Sequence, residues 1–222
     1  MLNKSPDIFD VSFHISELIK INSEVVLIKK GQLLFTEGSS PLGIYFIEKG
    51  TLKIFKTGCQ GKEQVLKIST ENDILGESDL LSGSKHNNSA IAMADASLLF
   101  MNRQDFWNLL QDEPQIMEQL LRKVSRELTL TEARLLHFAY KPVRGRLADA
   151  IFSLDEIFNR NSNEYQPILI NRSDLAGYVG SVQETISRLL SEFKAEKLVD
   201  VQGHKIEIRD AIGLKKISNM YN

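Results

Sequence analysis

The amino-acid sequence predicts an α+β fold in three parts: an N-terminal β-roll or jelly-roll barrel, a long helix and a C-terminal winged helix-turn-helix. Three observations support this prediction. Residues 24–101 form short apolar or alternating runs, residues 114–138 repeat apolar side chains at helical spacing, and residues 171–209 hold two short helical segments followed by a hairpin pattern. The predicted domain boundaries are 1–110, 111–140 and 141–222, because 222 residues suffice for more than one core.

The first half of the chain is predicted to consist of strands. The runs EVVLI, QLLFT, GIYFIE, TLKIFK, QVLKIS, SAIAMA and SLLFM are short, and most are separated by clusters of Gly, Asn or Asp. These residues adopt the positive φ that tight turns require. Seven short strands at this spacing predict a barrel or sandwich.

After Arg103 the apolar residues change from short strand-like runs to helical spacing, which predicts the long helix. Residues 114–138 span about 37 Å as a helix. One side of its apolar face can cover the barrel while the other side contacts a second copy of the chain, so the pattern predicts a homodimer. The alternative is a helix that packs only on its own barrel. Pro142 cannot continue the helix and marks a hinge before a second helix over 145–158. The apolar stripe consists of Ile116, Leu120, Val124, Leu128, Leu135 and Phe138.

The C-terminal segment has the pattern of a helix-turn-helix. Asn171 can cap a short helix, Gly180 permits a sharp turn, and Ser181 can cap the next helix, over 181–193. The runs LVDV and KIEIR, joined by a turn at Gly203, describe a β-hairpin wing. Val182, Ile186, Leu189, Leu190 and Phe193 form the predicted inward face of the second helix.

The opposite face of that helix carries residue types that contact DNA. Arg suits guanine, Glu accepts from the cytosine amino group, and Ser suits base edges or phosphate. A helical hairpin in a structural domain, with ordinary solvent-facing residues, is the alternative. Glu184 has a second candidate role, because Ser181-x-x-Glu184 also fits a capping box. The predicted outward residues are Glu184, Ser187, Arg188 and Ser191.

Composition and charge narrow the class of protein. Hydrophobic residues make up 42% of the chain and charged residues 25%, which excludes disordered and collagen-like classes. The net charge of −2 does not indicate a nucleic-acid binder, although residues 122–146 carry seven Lys or Arg against two Glu. No apolar run reaches the roughly 18 residues that cross a bilayer and no signal peptide is evident, so we expect a cytoplasmic protein without a membrane partner.

Three segments together resemble the CRP/FNR family of bacterial transcription regulators: GIYFIEKGTLKIF, ILGESDLL followed by NNSAIAMA, and GSVQETISRLL. The resemblance covers nearly the whole chain. It implies a cyclic-nucleotide-binding-like barrel, a dimerisation helix, and a recognition helix that touches base edges. The implied partners are double-stranded DNA, a second copy of the chain and RNA polymerase. The candidate DNA-contacting residues are Arg172, Ser181, Gln183, Glu184, Ser187, Arg188, His204 and Lys205.

The resemblance also identifies a candidate effector site. In cyclic-AMP-binding members a Gly-Glu pair contacts the ribose, an Arg-Ser pair holds the cyclic phosphate, and a Thr-Ser pair contacts the purine. Asn88 replaces that Arg and Glu132 replaces the last Ser, so we expect an effector other than cyclic AMP, of unknown identity. Lys85 is a substitute cation, with a solvated loop lysine as the alternative. The candidate site residues are Gly76, Glu77, Asn88, Ser89 and Thr131.

Other chemistries are not supported by the sequence. Oxygen sensing of the FNR type needs a cysteine cluster, and Cys59 is the single cysteine. Haem needs an axial ligand, for which His86 is the candidate near the site, and we expect His86 to be a surface-loop histidine. No nucleophile-base signature indicates an enzyme. A nucleotide-sensing module that acts on a partner protein is the alternative to a DNA-binding regulator, but such a module has no need of GSVQETISRLL and a wing.

Overall fold

The computed structural model describes residue 18, residues 23–161 and residues 164–220. The chain divides into two compact units. The first contains Met1–Ile54 and Ser69–Thr129, and the second contains Phe55–Ile68 and Leu130–Asn222. The second unit therefore includes the end of one barrel strand and nearly all of the next, in addition to the C-terminal part of the chain.

The barrel is built from two four-stranded sheets, with strand orders β1-β8-β3-β6 and β2-β7-β4-β5. Strand β8 pairs antiparallel with both β1 and β3, and β2 pairs antiparallel with β7. All seven strands predicted from the sequence are confirmed, and β6 is an additional strand of two residues. The strands are β1 Glu24–Ile28, β2 Leu33–Phe35, β3 Gly43–Lys49, β4 Leu52–Thr57, β5 Glu63–Ser69, β6 Ile74–Leu75, β7 Ser89–Ala92 and β8 Ala96–Asn102.

In the described part of the chain, three α-helices follow or interrupt these strands: α1 Glu77–Ser82, α2 Arg103–Asp112 and α3 Pro114–Tyr140. A 3-10 helix, Cys59–Gly61, lies between β4 and β5. The predicted long helix is confirmed and ends two residues later than expected. Its stripe divides into two parts: Ile116 and Leu120 are buried in a core cluster with side chains of β3, β8 and α2, whereas Leu128 is 60% exposed. The apolar face of α3 therefore continues beyond the barrel core.

The remaining elements form the winged helix-turn-helix that the sequence predicted. Helix α4 begins directly after Pro142, where the hinge was expected. The wing strands β10 and β11 pair antiparallel, and β9 joins them in a three-stranded sheet, order β10-β11-β9. The elements are α4 Val143–Asn159, β9 Ile168–Leu169, α5 Arg172–Val179, α6 Gln183–Ala195, β10 Val199–Gln202, β11 Lys205–Ile208 and α7 Ala211–Asn219. Across the described ranges, no helix has the length and apolarity to span a membrane.

Candidate functional site

The turn between α5 and α6 is held by a cap, a glycine and an arginine. The Asn171 side chain accepts a hydrogen bond from the Asp174 N–H at 2.7 Å, which confirms the predicted cap of α5. Gly180 ends α5 with φ +69°, and a Cβ at this position would lie 2.7 Å from the Phe138 ring. Arg146 donates to the carbonyl oxygens of residues 179 and 180, each at 3.0 Å, so α4 fixes the turn.

The inward face of α6 packs as predicted except at its first position. Ile186, Leu189, Leu190 and Phe193 are at most 5% exposed, and Leu147, Ile151 and Leu154 of α4, in the same unit, are also buried. Val182 was assigned to this face but is 48% exposed. It precedes the helix in an extended conformation, so its side chain leaves the helical stripe. The buried residues fix which side of α6 faces outward.

The predicted cap of α6 is wrong. Val182 is the N-cap residue, no side chain caps this helix, and Glu184 is its second residue. The N–H of Ser181 instead donates to the Ala176 carbonyl at 3.0 Å and closes the end of α5. Because Ser181 belongs to that closure, the capping box with Glu184 does not form. Glu184 is left as an exposed carboxylate on the first turn of α6.

The outward face of α6 presents four of the candidate residues together. Gln183, Glu184 and Arg188 are exposed and Ser187 is half-buried. Ser191, which the periodicity placed on the same face, donates its hydroxyl to the Ser187 carbonyl at 3.0 Å. A helix of 13 residues is about 20 Å long and fits the major groove of B-form DNA, so this face is suited to reading base edges.

The wing holds the remaining candidates. His204 and Lys205 are exposed at the turn between β10 and β11. Arg172 is half-buried and donates to the Gly203 carbonyl at 2.9 Å, which joins the start of α5 to the wing turn. Burial lowers the pKa of Arg172, and its Nη1 atom is buried without a hydrogen-bond partner. No sequence pattern indicates that Arg172 supports the wing.

Charged side chains also join the wing to the end of α6. Lys194 donates to the Val201 carbonyl at 2.8 Å and lies 3.3 Å from the Asp200 carboxylate. Arg209 contacts the other oxygen of Asp200, also at 3.3 Å. Hydrogen bonds from Gln202, Lys194 and Arg209 lower the pKa of Asp200 to about 2. The wing is thus held to α6 by a carboxylate that stays ionised in mild acid.

The effector-site candidates lie mainly in the first unit. Gly76 precedes α1 in the left-handed conformation, and the neighbouring Glu77 is buried and paired with Lys123 of α3. The buried Ser89 hydroxyl accepts from the Glu37 N–H at 2.9 Å. Asn88 is half-buried, and Lys85 is exposed. Thr131 is an exposed residue of the second unit.

The expectation for His86 is wrong, because this residue is only 4% exposed. Its ring stacks on Phe35 with centroids 4.0 Å apart, and its Nδ1 atom lies 2.9 Å from the Asp79 carboxylate. The Gly38 N–H donates to the His86 carbonyl, and the His86 N–H donates to the Ser39 carbonyl, each at 2.8 Å. This pairing draws residue 86 against the loop at 38–39 and buries the ring. Within the part of the chain that is described, no cluster of three or more potential ligands is arranged to hold a metal.

Comparison with known families agrees with this architecture. Residues 25–113 match the cyclic nucleotide-binding domain, and residues 145–217 match the Crp-like helix-turn-helix domain. A cyclic-nucleotide-binding-like barrel followed by this DNA-binding domain defines a transcription regulator. The chain belongs to the CRP/FNR family of transcription regulators.

Individual relatives support the same assignment. The chain is 28% identical over 196 residues to the fumarate and nitrate reduction regulatory protein of Vibrio cholerae, covering 87% of this chain and 78% of that protein. It is 26% identical over 193 residues to the cyclic AMP receptor protein of Thermus thermophilus, covering 86% and 87%. The solved structure of FixK2 from Bradyrhizobium japonicum has the same fold, with a TM-score of 0.78, 21% identity and coverage of 88% and 96%.

Proposed function

We propose that the protein is an effector-responsive homodimer that reads an approximately palindromic operator through α6. The observation that supports this most directly is that α6 has two distinct faces. Its apolar face is buried, and its opposite face carries Gln183, Glu184, Ser187 and Arg188. Its activity is recognition of DNA rather than catalysis. A regulator that binds chromosomal DNA in a bacterium works in the cytoplasm, where we place this protein.

Each outward residue of α6 has a chemical role in this proposal. Arg188 donates to guanine, Glu184 accepts from the amino group of cytosine, and Gln183 and Ser187 contact neighbouring base edges or phosphates. The absence of the capping box from the described structure supports the role of Glu184. A carboxylate that does not cap its helix is available for a base.

Phosphate contacts come from the turn and the wing. His204 and Lys205 are exposed at the wing tip, and Ser181 precedes the start of α6, so they can follow the DNA backbone on either side of the recognition helix. Arg172 acts in two ways: one terminal nitrogen holds the wing turn, and the guanidinium adds positive charge beside the phosphates. These contacts fix the orientation of α6, while base discrimination remains with α6 itself.

The proposed dimer uses the apolar face of α3. Leu121 and Leu128 are about 60% exposed in the single chain and Val124 is 39% exposed. These residues follow one another at spacings of three and four, so they form one stripe that a second copy can cover. A two-fold axis along this stripe would match the symmetry of a palindromic operator.

The proposed effector site consists of Gly76, Glu77, Asn88, Ser89 and Thr131. Lys123 already neutralises the Glu77 carboxylate, and Asn88 offers no positive charge to a cyclic phosphate. We therefore propose a small-molecule effector other than cyclic AMP, which shifts the population between DNA-binding and non-binding conformations. RNA polymerase is a further proposed partner, because a transcription regulator acts by recruiting or obstructing this enzyme.

The test of base reading is the Glu184→Gln variant. Gln presents a neutral amide that suits adenine better than cytosine, so discrimination at one base pair of each half-site should fall by about 1 to 3 kcal/mol. Competitive binding to an operator library at fixed salt measures this change, and thermal melts should show an unchanged fold. Glu156→Gln, which makes the same exchange at an exposed site on α4, is the matched control. Unchanged base preference in Glu184→Gln would contradict the proposed role, and a wild type without sequence-dependent binding would favour the partner-protein alternative.

A further inference from the structure

Arg188 belongs to a chain of ion pairs that continues from α6 to α4. Its Nη1 atom lies 2.5 Å from Oε1 of Glu192, one turn further along α6. The second oxygen of Glu192 accepts from Nη1 of Arg144, on α4, at 2.9 Å. The Glu192 carboxylate therefore bridges two guanidinium groups, one on each helix.

Arg144 is held more firmly than either of the other two residues. Its Nη2 atom donates to both carboxylate oxygens of Glu196 at 2.7 Å, and its guanidinium carbon lies 4.7 Å from the centroid of the buried Phe193 ring. The Arg144 side chain is 28% exposed, against 65% for Arg188. An isolated exposed ion pair at positions i and i+4 restrains its two side chains only weakly. Here the Glu192 carboxylate also binds the packed guanidinium of Arg144, which restrains it further.

This arrangement suits a base-reading arginine. Arginine must present a planar fork to guanine O6 and N7, and a flexible exposed side chain loses conformational freedom when it does so. Glu192 contacts one terminal nitrogen of Arg188, and a guanidinium carries five N–H donors, so other donors remain for the base. Restraint in the free protein lowers the entropy that must be lost on binding.

We propose that Glu192, held by Arg144, is a positioning residue that sets the base preference of Arg188. This inference rests on the proposed role of Arg188 in reading DNA. Glu192 has a second effect, because a carboxylate beside the DNA repels phosphate. The Arg144–Glu192–Arg188 network therefore increases discrimination between sequences and reduces affinity for unrelated DNA.

The experiment measures binding of the full-length protein to the operator and to variants of the base pair that Arg188 reads, at fixed salt. Glu192→Ala should lower discrimination at that base pair by about three- to tenfold and should raise affinity for unrelated DNA by about two- to fivefold. Arg144→Met should also lower discrimination, but it should not raise affinity for unrelated DNA, because the carboxylate remains. Glu156→Ala, which removes the same charge from an exposed site outside the network, should leave discrimination unchanged.

Arg188→Lys separates this inference from the proposed function. Lysine keeps the charge but lacks the fork, so discrimination at one base pair should fall by about tenfold or more. Glu192→Ala in the Arg188→Lys background should then have no further effect on discrimination. If Arg188→Lys keeps the base preference, the proposed reading by Arg188 and this inference both fail. If Arg188→Lys loses the preference and Glu192→Ala retains it with an unchanged melting temperature, only this inference is overturned.

Discussion

The proposed dimer seam can be tested by placing charge on the exposed stripe of α3. In the double variant Val124→Glu with Leu128→Glu, two carboxylates from each copy would face each other across the two-fold axis. The wild-type Leu128 and Val124 side chains are 60% and 39% exposed in the single chain. Complete burial of such a side chain contributes about 1.5 to 3 kcal/mol, so covering the exposed fractions of both residues in both copies contributes about 3 to 6 kcal/mol.

That free energy corresponds to roughly a hundredfold to ten-thousandfold change in the dimer dissociation constant, before the repulsion of like charges is added. Sedimentation equilibrium at micromolar concentration should show a dimeric wild type and a predominantly monomeric double variant. Leu42→Glu is the control, because Leu42 is 71% exposed outside α3 and its replacement should leave the dimer intact. A monomeric wild type, or a double variant that associates as tightly as the wild type, would refute the seam.

Three further predictions concern the cap, the effector site and the wing. Asn171→Ala removes the acceptor for the Asp174 N–H, so the free energy of unfolding in urea should fall by about 0.5 to 2 kcal/mol, whereas Asn171→Asp should retain most of it. Titration calorimetry should detect no micromolar binding of cyclic AMP, because Asn88 lacks the charge that holds a cyclic phosphate. The Asp200 carboxyl should titrate by NMR near its pKa of about 2. Its contribution to the free energy of unfolding is therefore complete above the unfolded pKa near 3.8 and is lost as the pH falls towards 2. Asp200→Asn should abolish this pH dependence.

The strands and long helices could be predicted because their signals are local. Alternation and turn residues identified seven strands, and the stripe starting at Ile116 identified α3. The two-residue strands β6 and β9 are too short to produce a period, so only their pairing with β3 and β11 reveals them. The local sequence pattern thus predicted the strands and helices that are long enough to show a period.

The error at His86 and the omission of the Arg144 contact have a common physical cause, which is contact between residues that are distant in sequence. His86 is buried by backbone pairing with residues 38–39, far from it in sequence. Arg144 contacts Glu192 across 48 positions, and no spacing rule connects them. Ser181 was misjudged for a different reason: a serine three residues before a glutamate fits a capping box, but closure of α5 at Gly180 uses its backbone first.

Selection of binding sites from a random duplex pool by the wild-type protein would show whether two copies of α6 read a palindromic operator. We expect enrichment of two inverted half-sites whose centres are about 10 base pairs, one helical turn, or a multiple of that apart. Each half-site should contain a guanine and a cytosine at neighbouring positions, for Arg188 and Glu184. Enrichment of a single unpaired half-site, or no enrichment at any salt concentration, would rule out palindromic reading by two copies of α6.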